Sequence, residues 1–187
     1  MAWTRQPGPR GICVVEAYDE YFAKLFDLIL DNLEDARGGP FGAGILSHGK
    51  LIATGVNSVL ATRDVSRHAE INALAAAGAA CNRFDFPDTV MFSTHFPCLM
   101  CYHALRWARI PCVYYAFDYQ ETAELFGIHG DLLLLRDLGL TLAALKASPG
   151  LQLVRYESPR IEELYRGRLV SLWNDSYREK CGVYDIA

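Results

Sequence analysis

Prolines divide the middle of this chain into a strand, a helix and a second strand, and this alternation constrains the fold more than any other feature. Residues Thr89–Thr94 are rich in β-forming side chains and are bounded by prolines on both sides. Leu99–Arg109 has a helical pattern that stops before Pro111, and Cys112–Phe117 is a second apolar strand. Strands that alternate with helices lie parallel to one another in a sheet, so the sequence predicts a layered α/β fold.

Periodic patterns extend this unit in both directions. Apolar residues recur every three or four positions over Ala17–Ala36, which predicts an amphipathic helix. Two short apolar runs around His48-Gly49 predict a β-hairpin. Further helices are expected at 69–80, 120–126 and 160–178, a strand at 151–156, and either a helix or a strand at 132–135. We expect one domain over 1–187, with a loose tail at 1–10 and a closing C-terminal helix and tail at 160–187.

Composition excludes several classes of protein. The chain has 187 residues and is 51% hydrophobic, which excludes wholesale disorder. Its formal net charge of −4 is a poor match to a surface that binds duplex nucleic acid or tRNA. Six cysteines are too few for a disulfide scaffold of this length. No apolar run is long enough for a membrane span or a signal peptide. The expectation is therefore a cytoplasmic protein with reduced or metal-bound thiols that binds no membrane, and for which a nucleic-acid partner is not expected.

Two short motifs carry candidate chemistry: His68-Ala69-Glu70, and Pro97-Cys98-Leu99-Met100-Cys101. Two cysteines three residues apart at a helix start present both sulfurs on one side of a turn, where the helix dipole favours thiolates. His68 would supply a third ligand, and three protein ligands leave the fourth zinc position for water. Glu70 lies in the same turn as His68 and would face that water as a proton shuttle. His-x-Glu followed by Pro-Cys-x-x-Cys is the signature of zinc-dependent nucleobase deaminases.

Other interpretations fit these residues less well. A redox pair does not explain an upstream His-x-Glu, and a structural zinc site needs a fourth ligand. His95 lies on the strand before the cysteine loop, and His103 lies beyond Cys101, so neither is favoured. The remaining cysteines stand alone and are expected to be core or incidental residues: Cys13, Cys81, Cys112 and Cys181.

From these motifs the chain is identified as a member of the cytidine deaminase-like superfamily, and it resembles the bacterial guanine deaminase and plant guanosine deaminase branch. Four segments carry the branch resemblance: Gly38-Gly39-Pro40-Phe41-Gly42-Ala43, Gly55-Val56-Asn57, Trp107-Ala108-Arg109, and Trp173-Asn174 to Val183-Tyr184. The resemblance implies a three-layer α/β/α fold around a mixed sheet of about five strands and one Zn²⁺ per chain. It also implies a homodimer, in some members with a swapped C-terminus.

The same resemblance assigns roles around the substrate. Asn57 would bond the base edge, Phe41 and Trp107 would contact the ring faces, and Tyr184 would close the pocket. Each aromatic residue has a simpler alternative as a core or covering side chain.

Three departures from the branch affect the choice of substrate. Phe96 replaces the usual Glu before Pro-Cys, and Leu99 replaces the usual Pro between the cysteines. Where guanine deaminases carry an acidic residue, this chain has His129, with Asp131 two residues later. Both are candidate substrate-binding residues.

The sequence predicts hydrolytic deamination of a small amino-substituted heterocycle, a purine base such as guanine first. Cytosine, a nucleoside, a triazine or a pterin-like ring are alternatives. A tRNA adenosine deaminase or a non-catalytic interaction module of the same fold is less favoured.

Overall fold

A computed structural model describes residues 18–181 of the chain. Its centre is a single five-stranded sheet with the strand order β2-β1-β3-β4-β5. β1 pairs antiparallel with both β2 and β3, whereas β3, β4 and β5 run parallel to one another. The strands are β1 Gly42–Ser47, β2 Lys50–Val56, β3 Thr89–His95, β4 Cys112–Phe117 and β5 Gln152–Arg155.

Helices cover both faces of this sheet, which confirms the predicted three-layer α/β/α fold with a mixed sheet. None of the helices within 18–181 is long and apolar enough to cross a bilayer. The helices before the C-terminal segment are α1 Asp19–Glu34, α2 Val59–Thr62, α3 Ala69–Cys81, α4 Leu99–Trp107, α5 Tyr119–Phe126, α6 Gly130–Asp137 and α7 Leu142–Ala147.

One face of the sheet is covered by α1 and by a C-terminal helical segment. The apolar stripe of α1 is buried, and Phe22 and Ile29 have no exposed surface. Gly42 of β1 lets α1 approach closely, because a Cβ there would lie 3.0 Å from Ile29 Cδ1. The C-terminal segment is helical throughout, with α-helical turns over Pro159–Ile161, Val170–Leu172 and Arg178–Cys181 and π-helical turns over Glu162–Leu169 and Trp173–Tyr177.

The opposite face is covered by α3 and α4, which carry the two candidate motifs. Ala69, Ala73 and Ala77 of α3 are fully buried against the sheet. Gly55 of β2 touches the backbone of α3 directly, since a Cβ at Gly55 would lie only 2.4 Å from the Ala69 carbonyl oxygen. The small residues of this contact therefore set how closely α3, and with it His68, lies over the sheet.

The structure resolves the ambiguous leucine run and extends the predicted pattern. Residues 132–135 lie within α6, where Leu135 is buried and Leu134 is 44% exposed, as expected for a surface helix rather than a central strand. The segment predicted to be helical at 160–178 lies within the C-terminal helical segment. The predicted tail at 1–10 and the residues after Cys181, including Tyr184, lie outside the described residues.

Candidate metal centre and active site

The two cysteines of the Pro-Cys-x-x-Cys motif lie at the beginning of α4. Pro97 follows the end of β3, and Cys98 is the N-cap residue of the helix with an extended backbone. The Cys98 sulfur accepts a hydrogen bond from the Cys101 backbone N–H at 3.5 Å. This turn therefore holds both sulfurs on one side of the helix start, as the spacing predicts.

His68 completes a group of three ligand atoms. It is the N-cap residue of α3, and its Nδ1 lies 3.4 Å from the Cys98 sulfur. The donor atoms of His68, Cys98 and Cys101 all lie within 4.8 Å of one another. Ligands of a tetrahedral zinc ion are separated by about 3.5–3.8 Å, given the usual Zn–S and Zn–N bond lengths. One imidazole and two sulfurs at these separations fit zinc.

The electrostatics of the group favour a thiolate at Cys98. Hydrogen bonds with Cys101 and then with His68 lower the pKa of Cys98 to about 4. Burial acts in the opposite direction but is outweighed. Burial alone would lower the pKa of His68, but the hydrogen bond to Cys98 raises it to about 9. The hydrogen bond to Cys98 and burial raise the pKa of Cys101. The Cys98 ligand is thus ionised at neutral pH by its surroundings.

Glu70 lies next to this group in the first turn of α3. Its side chain is buried, with 6% relative exposure, and its Oε1 accepts a hydrogen bond from Ser93 Oγ at 3.0 Å. Burial and then the charge of Cys98 raise the pKa of Glu70. A buried carboxyl with a raised pKa and a fixed orientation is suited to taking up and releasing a proton.

A second carboxylate approaches the group from α6. Burial and then the Cys98 charge raise the pKa of Asp131 to about 7, and the charges of His68 and Glu70 also act on it. His129 is the N-cap residue of α6 and is exposed. Of the two candidates in this loop, the structure brings Asp131 to the group and leaves His129 in solvent.

Asn57 lies at the end of β2 and connects it to the Gly-rich loop before β1. Its side chain is 1% exposed, and its Oδ1 accepts hydrogen bonds from the backbone N–H groups of Gly39 and Val59, both at 3.3 Å. Gly38 fits only without a side chain, because a Cβ would lie 2.3 Å from the Asn57 carbonyl oxygen. Asn57 therefore holds the loop that leads to Phe41.

Phe41 is half-buried and meets the ring of His95 edge-on, with ring centroids 4.6 Å apart. His95 is buried, and its Nδ1 lies 2.9 Å from Thr94 Oγ1. Its Nε2 is buried without a hydrogen-bond partner among the described residues. Burial lowers the pKa of His95 to about 3, so the imidazole is neutral and lies among aromatic rings rather than in the metal group.

Trp107 is not brought to the group. It is the last residue of α4, and its side chain is 84% exposed. Because the cysteines lie at the start of that helix, six further residues at 1.5 Å each carry Trp107 roughly 9 Å along the axis, away from Cys101. Tyr184 lies outside the described residues.

Sequence reasoning missed two residues that support the site. Ser93 orients Glu70 from β3, and Tyr119 at the start of α5 donates its hydroxyl hydrogen bond to the Pro97 carbonyl at 2.7 Å. The alternation of β3 toward α3 was a signal that would have identified Ser93. No local pattern marks Tyr119, because it is 22 residues from Pro97.

Comparison with known proteins agrees with this arrangement. Residues 16–117 match the family model described as the cytidine and deoxycytidylate deaminase zinc-binding region. Guanine deaminase of Bacillus subtilis is 32% identical over 107 residues, which cover 57% of this chain and 69% of that protein. A tRNA-specific adenosine deaminase of Buchnera aphidicola is 32% identical over 103 residues, or 55% of this chain and 68% of the relative.

The fold is shared with a solved structure of the first relative. The X-ray structure of guanine deaminase from Bacillus subtilis superposes with a TM-score of 0.61 and 25% identity, covering 84% of this chain and 94% of that one. The matched family region contains His68, Glu70 and both cysteines of the metal group. The chain therefore belongs to the cytidine and deoxycytidylate deaminase family and is a hydrolytic deaminase.

Proposed function

We propose that this protein deaminates a free purine base, guanine first, to give xanthine and ammonia, with one zinc ion per chain. The observation that carries the proposal is the pair of carboxyl groups, Glu70 and Asp131, whose charges act on the same His68–Cys98 pair. The similarity to guanine deaminase of Bacillus subtilis supports guanine as the first base to test.

His68, Cys98 and Cys101 would hold the zinc ion. Bound zinc supplies a water molecule whose pKa is lowered towards neutrality. The protein holds Cys98 as a thiolate and presents the Nδ1 atom of His68 to the same point. On zinc binding, His68 and Cys101, whose pKa values are raised, would give up their protons, and two thiolates and a neutral imidazole would then balance the charge of the ion.

Glu70 is proposed to move the protons of the hydrolysis. It takes one proton from the attacking water, whose oxygen bonds to the ring carbon that carries the amino group. It then gives that proton to the adjacent ring nitrogen. The amine gains one proton and leaves as ammonia when the C–N bond breaks, while the new C–OH group gives up its proton to become the carbonyl. The hydrogen bond from Ser93 keeps Oε1 in place through these steps.

Asp131 is proposed to act as a proton donor to the amino group of the purine. The amino group of guanine is at C2 and lies between two ring nitrogens, so its departure as ammonia needs a second proton carrier. Burial favours the protonated form of Asp131, which lets it donate to the leaving amine. The proton that the C–OH group gives up as the carbonyl forms then restores the protonated carboxyl. Phe41 would contact the ring face and Asn57 the base edge, and Tyr184 would close the pocket.

The protein is further proposed to form a homodimer and to act in the cytoplasm. The exposed face of α4 carries Met100 and Trp107, which are 39% and 84% exposed. Large apolar side chains in water are costly, so we propose that a second copy of the chain covers this face. Metal-binding thiols need a reducing compartment, which favours the cytoplasm.

Ammonia release from a set of bases tests the function. Purified protein is assayed with guanine, guanosine, ammeline, cytosine, adenine and tRNA, and its zinc content is measured. We expect about one zinc per chain and turnover of guanine. Turnover of a pyrimidine, a nucleoside or tRNA with guanine inert would contradict the purine-base assignment and leave only the family chemistry.

Variants of the two carboxylates separate their roles. Glu70→Gln should retain zinc and lose activity by a factor of about 10²–10⁴. Asp131→Asn should lower the kcat for guanine, whereas the matched control His129→Ala should not, because that side chain is exposed. Equal activity of Asp131→Asn and the parent would refute the role given to Asp131.

A further inference from the structure

We propose that Tyr119 is a positioning residue for the metal centre, because its hydroxyl fixes the Pro97–Cys98 peptide and so the direction of the Cys98 sulfur. This inference rests on the proposed zinc site. It concerns a residue whose hydroxyl bonds the backbone next to a ligand, and that acts on the ligand through that backbone.

The contact itself is short and shielded from water. Tyr119 is 2% exposed, and its Oη donates to the Pro97 carbonyl oxygen at 2.7 Å. Burial and then the nearby Asp131 carboxylate raise the pKa of Tyr119, so the hydroxyl keeps its proton and donates at all accessible pH values. A buried hydrogen bond to one carbonyl restrains rotation of the whole peptide plane that leads into Cys98.

Phe96, the residue before Pro97, is held by ring packing and by its backbone N–H, which donates to the Phe117 carbonyl oxygen at 2.7 Å. Its side chain is 2% exposed and meets Tyr115 and Tyr119 edge-on, with centroids 5.0 and 5.1 Å away. Where relatives with Glu before Pro-Cys have a charged group, this chain has an apolar ring. The Tyr119 hydroxyl is thus the polar side-chain group that the described residues supply to the Pro97 carbonyl.

Tyr119 also connects the cysteine loop to the helix that carries Asp131. Tyr119 belongs to one buried cluster with Phe96 and with Leu135 of α6, and Leu132 packs against that cluster. Asp131 immediately precedes Leu132. A change at Tyr119 therefore acts on both sides of the proposed reaction centre, on the metal ligand and on the second carboxylate.

The matched control is Tyr165, which makes the same kind of bond far from the metal group. It is fully buried, and its Oη donates to the Phe22 carbonyl oxygen at 2.5 Å, within the core between α1 and the C-terminal segment. Tyr119→Phe and Tyr165→Phe each remove one buried hydroxyl and its hydrogen bond to a backbone carbonyl. Any difference between them in metal binding reflects position rather than loss of a buried hydrogen bond.

Zinc-loaded protein, both variants and the parent are compared for zinc release to a chromogenic chelator, with circular dichroism establishing that all three are folded. We expect Tyr119→Phe to weaken zinc binding about 10- to 100-fold, the usual effect of losing a partner that orients a ligand. Tyr165→Phe should release zinc as the parent does. The cobalt-substituted Tyr119→Phe variant should show an altered thiolate-to-metal absorption band, which a purely structural loss would leave unchanged.

Three outcomes overturn the proposal: unchanged zinc affinity in Tyr119→Phe, equal weakening in Tyr165→Phe, or a parent that binds no zinc. Only the last also removes the proposed function. A parent that binds zinc and is inert on guanine, with zinc weakened in Tyr119→Phe, would refute the substrate while supporting the role of Tyr119.

Discussion

Replacing His95 by leucine should make the protein more resistant to acid. His95 is 4% exposed, its ring contacts Phe41, Phe117 and Phe126, and its Nε2 is buried without a hydrogen-bond partner within the described part of the chain. At low pH this imidazole is protonated in the unfolded chain but remains neutral in the folded protein, so acid favours unfolding. The His95→Leu variant has no such proton to take up.

The size of the effect follows from the pKa of His95 in the two states. The value is 6.5 when the ring is free and about 3 in the folded protein. The contribution of neutral His95 to stability is fully present above pH 6.5 and is lost as the pH falls towards 3. Each pH unit within this window lowers the free energy of unfolding by about 1.4 kcal/mol. Between about pH 8 and about pH 5 the loss is therefore about 2 kcal/mol.

Urea unfolding at these two pH values, followed by circular dichroism, measures the difference. The parent should lose about 2 kcal/mol more than His95→Leu on going to the lower pH, with the other acid-sensitive groups cancelling between the two proteins. The test uses the change with pH rather than the stability at pH 8, because leucine removes both the Nε2 atom without a partner and the hydrogen bond between Nδ1 and Thr94 Oγ1. His103→Gln is the control, since that side chain is exposed. An identical pH dependence in parent and His95→Leu would refute the reasoning.

Two further predictions concern packing and assembly. Gly55→Ala should lower the free energy of unfolding by about 1–3 kcal/mol in a urea titration, because its Cβ would meet the α3 backbone. Gly167→Ala should not lower it and should raise it by about 0.5–1 kcal/mol, because nothing lies within 4 Å of the added Cβ and alanine favours a helix. Light scattering should give the mass of a dimer for the parent and of a monomer for Trp107→Glu; a parent monomer, or a variant that remains dimeric, would contradict the proposed interface.

The parts of the site that sequence could predict are those set within one turn of helix. Cys98 and Cys101 are three residues apart, and His68 and Glu70 are two apart, so helix geometry alone places each pair. The strands and helices around them could be predicted from the prolines and glycines at their ends and from the regular spacing of their apolar residues. These local rules do not depend on the rest of the fold.

The parts that sequence could not predict depend on contacts between distant segments. Whether His129 or Asp131 reaches the group is decided by where α6 begins and how it packs, and Gly130 starts that helix. The Trp107-Ala108-Arg109 segment resembles the branch in sequence, but Trp107 lies at the far end of α4 from the cysteines and so points away from the site. Tyr119 reaches Pro97 only because β4 places the start of α5 beside the end of β3.

The arrangement of the sheet shows that the residues carrying the metal group do not make up a complete folding unit. The family-matched region, residues 16–117, ends with β4, yet β4 is paired along its far side by β5. The face packed by α1 is completed by the C-terminal segment, with Tyr165, Leu169 and Trp173 buried in it. On its own the matched region would leave an open strand edge and an uncovered apolar surface, both of which promote aggregation. In this chain the residues after β4 therefore complete the fold that holds the metal group, because they pair the open edge of β4 and bury the apolar surface beside α1.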